Sequence, residues 1–231
     1  MPEAKLKVEM LAFTPKPGET AATAAHMCYA GIDIEKLKQK VSPEYAKKLL
    51  KRLTEEGHMS PLEHASFTFA IEGISRACSH QLVRHRIASF SQQSQRYVKE
   101  TGFNFIVPPK VKSNENSLKK FNESMGQSEK AYEELLKEVP AEDARFVLPN
   151  ACETRIIVTM NTRSLYNFFE RRLCVRAQWE IRCLAEAMFK LCKEAAPLLF
   201  EACGPICDRL GYCPERETCG RKPLRKDAIK G

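Results

Sequence analysis

The sequence predicts an α+β fold, and two observations favour this class. Strand and helix patterns are mixed along the 231 residues without a regular β-α-β alternation. Neither a G-x-G-x-x-G turn nor a P-loop occurs, so a doubly wound dinucleotide-binding sheet is not indicated. A hydrophobic content of 43% with 8% aromatic residues suits a single folded domain rather than a disordered chain.

The first elements follow from alternation, composition and capping residues. Residues 6–12 alternate between apolar and polar side chains and predict a strand. Residues 20–30 are rich in alanine, the best helix former, and predict a helix. Ser42 provides an N-cap for a further helix, which Pro43 opens and Gly57 ends.

The central part of the chain predicts a strand, a helix and a polar loop. Residues 65–71 carry apolar side chains at every second position, which is typical of a half-buried strand. Residues 74–84 predict a helix on which Gln81 and Arg84 share one face, because they are three positions apart. The Ser- and Gln-rich residues 84–97 predict a loop that follows this helix.

The C-terminal half predicts three helices and one strand. Apolar residues recur at helical spacing over residues 118–135, which predicts a long amphipathic helix. β-branched residues predict a strand at 156–160, and residues 161–171 begin another predicted helix. Apolar residues spaced by four and three positions predict a core helix over 177–195 that ends near Pro197.

The polar loop at residues 84–97 has the most unusual composition. It contains three arginines, one histidine, three serines and three glutamines, but neither lysine nor an acidic residue. The guanidinium fork of arginine matches phosphate oxygens, and Ser and Gln add neutral donors and acceptors. The segment therefore predicts a phosphate or nucleotide site, with an exposed basic loop that binds no specific ligand as the alternative.

A net charge of +8 favours anionic partners. Much of the excess lies in the last residues, which we expect to form a frayed, solvated tail: Arg221, Lys222, Arg225, Lys226 and Lys230. The N-terminus lacks a secretory signal pattern, and no apolar run is long enough to span a membrane. We therefore expect a cytoplasmic protein.

Ten cysteines without an export signal do not predict a disulfide framework. Six stand among apolar residues, and we expect them to be buried and inert: Cys28, Cys78, Cys152, Cys174, Cys183 and Cys192. Four more lie in the Gly- and Pro-containing tail: Cys203, Cys207, Cys213 and Cys219. Only the first pair of these has a spacing common in zinc sites, so we assign no metal ligand, and metal binding by the tail stays open.

Several motifs resemble those of the flavin-dependent thymidylate synthases. Arg84-His85-Arg86, followed after seven residues by Ser94, is similar to the family's RHR-x7-S signature, and residues 57–64 are similar to its GH-x-[ST]-P-x-EH block. Further matches follow in the family's order: Gln81, residues 145–149, residues 161–165, Arg172 and residues 177–180. The resemblance spans roughly residues 5–205. It implies a synthase domain at 1–205 with a twisted, antiparallel-rich sheet, followed by an irregular, Cys-containing basic tail at 206–231.

The resemblance also implies the reaction and the ligands. FAD reduced by NADPH supplies the hydride, and 5,10-methylenetetrahydrofolate donates a one-carbon unit to C5 of deoxyuridine monophosphate (dUMP). His58 is expected near the folate or flavin ring. The implied flavin contacts are Ser60, Arg84, His85, Arg86, Gln92, Asn161, Arg163 and Asn167. The implied dUMP contacts are Gln81, Arg84, Gln92, Ser94, Arg96, Arg145 and Arg172.

Arg172 is the implied catalytic residue. A fixed cation would stabilise a pyrimidine deprotonated at N3, so that C5 attacks without an enzyme nucleophile. The alternative is a surface i,i+4 ion pair on a helix, which suits Arg171 better. We expect the Cys174 thiol to point away from Arg172, because residues two apart lie on different faces of a helix.

The resemblance further implies a homotetramer with active sites at subunit junctions, and neither nucleic acid nor a membrane as partner. Three positions depart from the pattern of the family. This chain has His26, Arg176 and Gln92 where part of the family has Arg, His and Glu, respectively. Gln92 keeps hydrogen-bonding reach but lacks the charge of a general base. The residues alone leave two other functions open, a nucleic-acid-binding protein and a zinc-stabilised module.

Overall fold

The computed structural model describes residues 3–229, and in this range one four-stranded sheet combines with helices. The strands are antiparallel and lie in the order β1-β2-β4-β3. They are β1 (Lys7–Phe13), β2 (Ser66–Ser75), β3 (Ser89–Gln92) and β4 (Glu153–Asn161). The α+β class and the antiparallel-rich sheet are therefore confirmed.

Helices account for most of the remaining regular structure between residues 3 and 229. In chain order they are α1 (Pro17–Met27), α2 (Ile34–Lys40), α3 (Pro43–Glu55), α4 (Arg76–Leu82), α5 (Pro109–Lys112), α6 (Glu115–Leu135), α7 (Ala141–Ala144), α8 (Thr162–Arg172), α9 (Trp179–Ala195), α10 (Pro197–Phe200), α11 (Ile206–Leu210) and α12 (Arg225–Ala228). Short 3-10 helices occupy Ser60–His64 and Arg145–Val147.

The chain divides into two compact units. Within the described residues, the first unit comprises residues 3–8, 70–84 and 90–157, and the second unit comprises residues 9–69, 85–89 and 158–229. Four of the five boundaries fall within strands, so each of the four strands contributes residues to both units. The predicted boundary between a synthase domain at 1–205 and a tail at 206–231 stays a prediction.

The second unit has an aromatic core between β2, α8 and α10. Phe67, Phe169 and Phe200 are each fully buried, and their rings meet edge-on at centroid distances of 5.4 and 6.0 Å around Phe200. Tyr166 joins them and donates a hydrogen bond from its hydroxyl to the carbonyl oxygen of Leu199 at 2.6 Å. Because the hydroxyl is paired, an aromatic residue of this size is buried without an unsatisfied polar atom.

The first unit has a separate core against the long helix α6. Phe103, Phe105, Met125 and Cys152 are buried together there. Tyr132, also on α6, is fully buried, and its hydroxyl accepts a hydrogen bond from the backbone N–H of Glu100 at 3.1 Å. The apolar side of α6 thus anchors the segment that follows the Arg- and Gln-rich signature.

Capping residues explain why several predicted helices are confirmed. The Ser42 hydroxyl accepts a hydrogen bond from the N–H of Tyr45 at the start of α3, and Gly57 has a φ of +78° just beyond its end. Asn161 caps α8 in the same manner through the N–H of Ser164. Such caps satisfy backbone groups that a helix end leaves free, and they are local in sequence.

Two elements differ from the sequence prediction around α4. The predicted helix 74–84 is shorter, because Ile74 and Ser75 belong to β2 and the Ser75 hydroxyl caps α4. Arg84 lies beyond the helix end, so the prediction that it shares a helical face with Gln81 is wrong. The predicted loop also contains a short strand, β3.

The C-terminal segment is more ordered than the predicted frayed tail. Arg221 forms a two-pronged ion pair with Asp208 at 2.9 and 2.5 Å, and Cys213 pairs with Leu224 through a β-bridge. The expectation of a solvated tail is therefore wrong for Arg221. Lys230 lies outside the described residues.

The cysteines divide by exposure. Cys78, Cys152 and Cys192 are buried as predicted. Cys28 and Cys183 are exposed and Cys174 is only half-buried, so the prediction of buried thiols is wrong for these three. Between residues 3 and 229, no helix combines the length and the apolar content that a membrane span requires.

Candidate functional site

In the first unit, Arg96 and Arg145 are organised by one acidic residue. Nε of Arg96 donates a hydrogen bond to the Glu142 carboxylate at 3.0 Å, and Nε of Arg145 donates to the Glu142 carbonyl oxygen, also at 3.0 Å. The Ser94 hydroxyl accepts a hydrogen bond from the backbone N–H of Arg96 at 3.2 Å. Three of the implied dUMP contacts are thereby linked in one polar cluster.

Exposed aromatic rings adjoin this cluster. The Arg96 guanidinium lies over the ring of Tyr97 at 5.4 Å, and that of Arg145 lies over Phe146 at 5.9 Å. The side chains of Tyr97 and Phe146 are 80% and 79% exposed, respectively. Guanidinium groups that rest on rings lose part of their conformational freedom, and their forks are then better prepared to bind an anion.

The remaining implied nucleotide residues of the first unit lie near α4. Gln81 is half-buried on that helix, and Arg84 is exposed just beyond its end. The Gln92 amide nitrogen donates to the hydroxyls of Ser79 at 2.9 Å and Thr154 at 3.1 Å. Both amide protons are therefore used within the protein, and only the side-chain oxygen of Gln92 remains to meet a ligand.

In the second unit, the start of α8 joins two of the sequence motifs. Arg163 forms an ion pair with Glu63 of the 3-10 helix at 2.5 Å. Asn161 is engaged as the N-cap of α8. Thr162 is buried, and its hydroxyl donates to the carbonyl oxygen of Ala65. These contacts fix the N-terminal end of α8, from which Arg163 is presented to solvent.

The other end of α8 carries a cluster around His85. Nε of Arg172 donates a hydrogen bond to Nε2 of His85 at 3.2 Å, and the imidazole packs edge-on against Phe168 at 5.0 Å. Burial, with Arg172 and Arg171 nearby, lowers the pKa of His85 from 6.5 to about 4, while a hydrogen bond with Asn167 opposes this shift. His85 is therefore neutral near pH 7 and can accept the Arg172 hydrogen bond.

The remaining predicted residues lie apart from these contacts. Ser60, at the start of its 3-10 helix, and Arg86 are exposed. His58 is exposed and lies 3.8 Å from the Glu56 carboxylate. His26 shares a short hydrogen bond with the hydroxyl of Tyr45 and packs against its ring, which gives this position a structural partner.

A cavity of about 1020 Å³ in the second unit lies along α8 and the segment before the 3-10 helix. Arg163, Tyr166 and Asn167 line one side, and Gly57 and Met59 line another. Its size is at the upper end of the range for cofactor sites. Carboxylates also line it, at Glu55, Glu56, Glu170, Glu201 and Asp208. Glu170 is neutralised by Arg209 through hydrogen bonds of 2.5 and 3.2 Å.

A second cavity of about 540 Å³ lies at the C-terminal end of α8. Both Arg172 and Cys174 line it, although the sequence argument placed them on different helical faces. That argument is wrong because α8 ends at Arg172, so Cys174 is not on the helix. Among the described residues, no group of three or more His, Cys, Asp or Glu side chains could hold a metal ion.

Sequence reasoning missed the two acidic residues that hold site arginines. Glu63 lies inside a recognised motif, and its charge was a usable signal for a partner such as Arg163. Glu142 stands three residues before Arg145 in a short helix, where no local pattern marks it. Its role depends on a contact with Arg96, which is 46 positions away in the chain.

Comparisons with known proteins agree with the motifs. The family model described as thymidylate synthase complementing protein matches residues 9–198. Similar proteins named flavin-dependent thymidylate synthase include those of Geobacter sulfurreducens (53% identical over 220 residues, 94% of each chain) and Nitratidesulfovibrio vulgaris (48% over 242 residues, 98% of this chain and 99% of the other). The protein of that name from Pyrococcus abyssi is 44% identical over 227 residues, which are 92% of this chain and 91% of the other. The chain therefore belongs to the family of the flavin-dependent thymidylate synthases.

Proposed function

We propose that this protein methylates dUMP to dTMP, with 5,10-methylenetetrahydrofolate as carbon donor and FAD reduced by NADPH as hydride source. Within the family assignment, the observation that carries the proposal is the pair of arginines, Arg96 and Arg145, organised by Glu142. Two fixed guanidinium groups, with the Ser94 hydroxyl close by, suit the phosphate of a nucleotide.

Arg96 is prepared for bidentate phosphate binding. Its Nε atom is engaged by Glu142, so the edge formed by its two Nη atoms remains for a ligand. Because Arg96 and Glu142 are about half exposed, at 52% and 47%, their ion pair is screened by water and contributes little to stability. A phosphate can therefore bind the guanidinium without the loss of a strong internal contact.

The large cavity beside α8 fits a flavin nucleotide in size and in part of its donor set. Arg163 and Asn167 supply guanidinium and amide groups, and Met59 supplies apolar surface. The carboxylates at its rim, among them Glu55, Glu56 and Glu201, favour the hydroxyl groups of such a ligand over its phosphates. FAD would supply hydride transfer, and Ser60, Arg84, His85, Arg86, Gln92 and Asn161 are the further residues proposed to hold it.

Arg172 and His85 would act together on the pyrimidine. Attack by C5 requires electron density in the ring, and a cation beside N3 and the neighbouring carbonyl oxygens stabilises the deprotonated form. The neutral imidazole of His85 accepts from Nε of Arg172 and holds the guanidinium in one orientation. No enzyme nucleophile is needed in this proposal, and Gln81 would contribute only to binding of the nucleotide.

We further propose a cytoplasmic homotetramer with active sites at subunit junctions and with neither nucleic acid nor a membrane as partner. The support for this assembly is the family membership of the chain. Sedimentation tests it directly, because a monomer that still binds one FAD per chain would contradict the junction sites.

The proposal is tested with purified protein and an Arg96→Gln variant. Flavin absorption bands and dTMP formation from dUMP, folate and NADPH are expected for the native chain. The variant should raise the KM for dUMP roughly 10- to 150-fold, since a charge-assisted hydrogen bond contributes about 1.5–3 kcal/mol. Flavin content should stay unchanged.

Arg155→Gln is the matched control. Arg155 also lies in the first unit, is exposed, and pairs with Glu72 at 3.9 Å, but it has no proposed role in binding. It should leave the KM for dUMP unchanged. A colourless protein that forms no dTMP, and that binds nucleic acid with a steep salt dependence, would refute the proposal.

A further inference from the structure

The cavity at the C-terminal end of α8 is walled by the C-terminal segment, to which the sequence assigns no role. The segment from Pro205 to Lys222 forms much of the lining, opposite residues 167–177. Arg221 is fixed by Asp208, and Arg176 lies 3.6 Å from Glu215. The Arg176–Glu215 pair and the Arg209–Glu170 pair hold the segment against residues 167–177. The Arg221–Asp208 pair lies within the segment and stabilises it internally.

The lining of this cavity carries an excess of positive charge. Its cations are Arg171, Arg172, Arg176, Arg221 and Lys222, and its carboxylates are Glu170 and Glu215. Glu170 is already paired with Arg209, and Glu215 with Arg176. Among the described residues, no carboxylate lies within ion-pair distance of Arg171 or Lys222. These two cations remain available to a ligand.

Both arginines at this end of α8 lie close to His85. Besides burial, Arg172 and Arg171 lower the pKa of its imidazole. A concave site with uncompensated cations concentrates anions.

We infer that this cavity binds an oxyanion group carried by a co-substrate, with Lys222 and Arg171 as its contacts. The inference rests on the proposed function, which requires two anionic co-substrates besides dUMP. A phosphate of NADPH and a glutamyl carboxylate of the folate share the chemistry that these cations recognise. The C-terminal segment would then be a wall of the active centre.

The test uses the full-length, flavin-containing protein and the double variant Arg171→Gln/Lys222→Gln. Inorganic pyrophosphate and a triglutamate peptide are titrated by calorimetry as probes of the two chemistries. Loss of two charge-assisted contacts should weaken the preferred probe by at least about tenfold. The control, Lys190→Gln/Lys226→Gln, removes the same charge from exposed residues outside this cavity and should leave the affinity unchanged.

Steady-state kinetics then identifies the source of the anion. A raised KM for NADPH with weaker pyrophosphate binding indicates the reductant, whereas a raised KM for the folate with weaker triglutamate binding indicates the carbon donor. The inference is overturned if neither probe binds the native protein, if the control loses as much affinity, or if only flavin retention or the KM for dUMP changes. If neither the native protein nor any variant forms dTMP, the proposed function fails. The two titrations still show whether the cavity binds an oxyanion, so the two failures can be told apart.

Discussion

The protonation of His85 should make the stability of this protein depend on pH. Folding lowers the pKa of His85 from 6.5 to about 4, chiefly through burial and also through Arg172 and Arg171. The unfolded chain therefore binds a proton more readily than the folded chain between these values. The His85 contribution to the free energy of unfolding is fully present above about pH 6.5 and decreases as the pH drops towards about 4. Below about pH 4 this contribution does not change further.

The size of the effect follows from the two pKa values. The whole difference corresponds to an upper bound of about 3 kcal/mol. Because the imidazole is only half-buried, screening by water reduces this bound to about 1–2 kcal/mol. Between about pH 7.5 and about pH 5, we expect the His85 contribution to the free energy of unfolding to fall by about 1 kcal/mol.

Urea unfolding of the native protein and of a His85→Gln variant at several pH values measures this contribution. Glutamine can still accept the Arg172 hydrogen bond, but it does not titrate. The loss of stability on acidification should be smaller in the variant by about 1 kcal/mol. His80→Gln, at an exposed position of α4, should retain the native pH dependence. Identical pH profiles for the native protein and His85→Gln would refute the reasoning.

Three further outcomes are expected. Arg172→Ala should abolish turnover while flavin is retained. Arg172→Lys should do the same, because the point charge of lysine does not reproduce the planar guanidinium fork. Normal turnover by either variant would disprove the assigned role. Cys174→Ala should retain dTMP formation, and a folded, flavin-bound but inactive variant would contradict a nucleophile-free mechanism. Tyr166→Phe leaves the Leu199 carbonyl oxygen without its donor and should lower the free energy of unfolding by about 1–2 kcal/mol, measured by urea titration; an unchanged midpoint would show that water replaces the bond.

Features with local causes could be predicted from the sequence. Ser42 and Asn161 cap the helices that were predicted to follow them, because a cap and its partner N–H are three residues apart. The strand at 65–71 was predicted from alternation, and its inward residues Phe67 and Phe69 are fully buried. The helix α2 was missed because only Leu37 of its seven residues is buried, so it lacks an apolar periodicity.

Features that depend on distant contacts could not be predicted in this way. The residue types of the candidate site follow from its motifs, but the ion pair of Arg96 with Glu142 joins segments far apart in the chain. Likewise, the pKa of His85 depends on α8, which lies about 80 residues further along. Arg172 and Cys174 line the same cavity because α8 ends at Arg172. The last residue of a helix is the feature that sequence patterns predict least accurately.

Gly73 in β2 limits how far this chain can vary. Its φ is +71°, and a Cβ atom at this position would lie 1.9 Å from the carbonyl oxygen of Lys5. Backbone rather than a flexible side chain blocks the space, so no rotamer change makes room for a larger residue. In a library that samples all twenty amino acids at each position, we expect only glycine to survive at 73. At Gly126 of α6, by contrast, an added Cβ atom would meet no atom within 4 Å, so this position should accept alanine and gain helix stability.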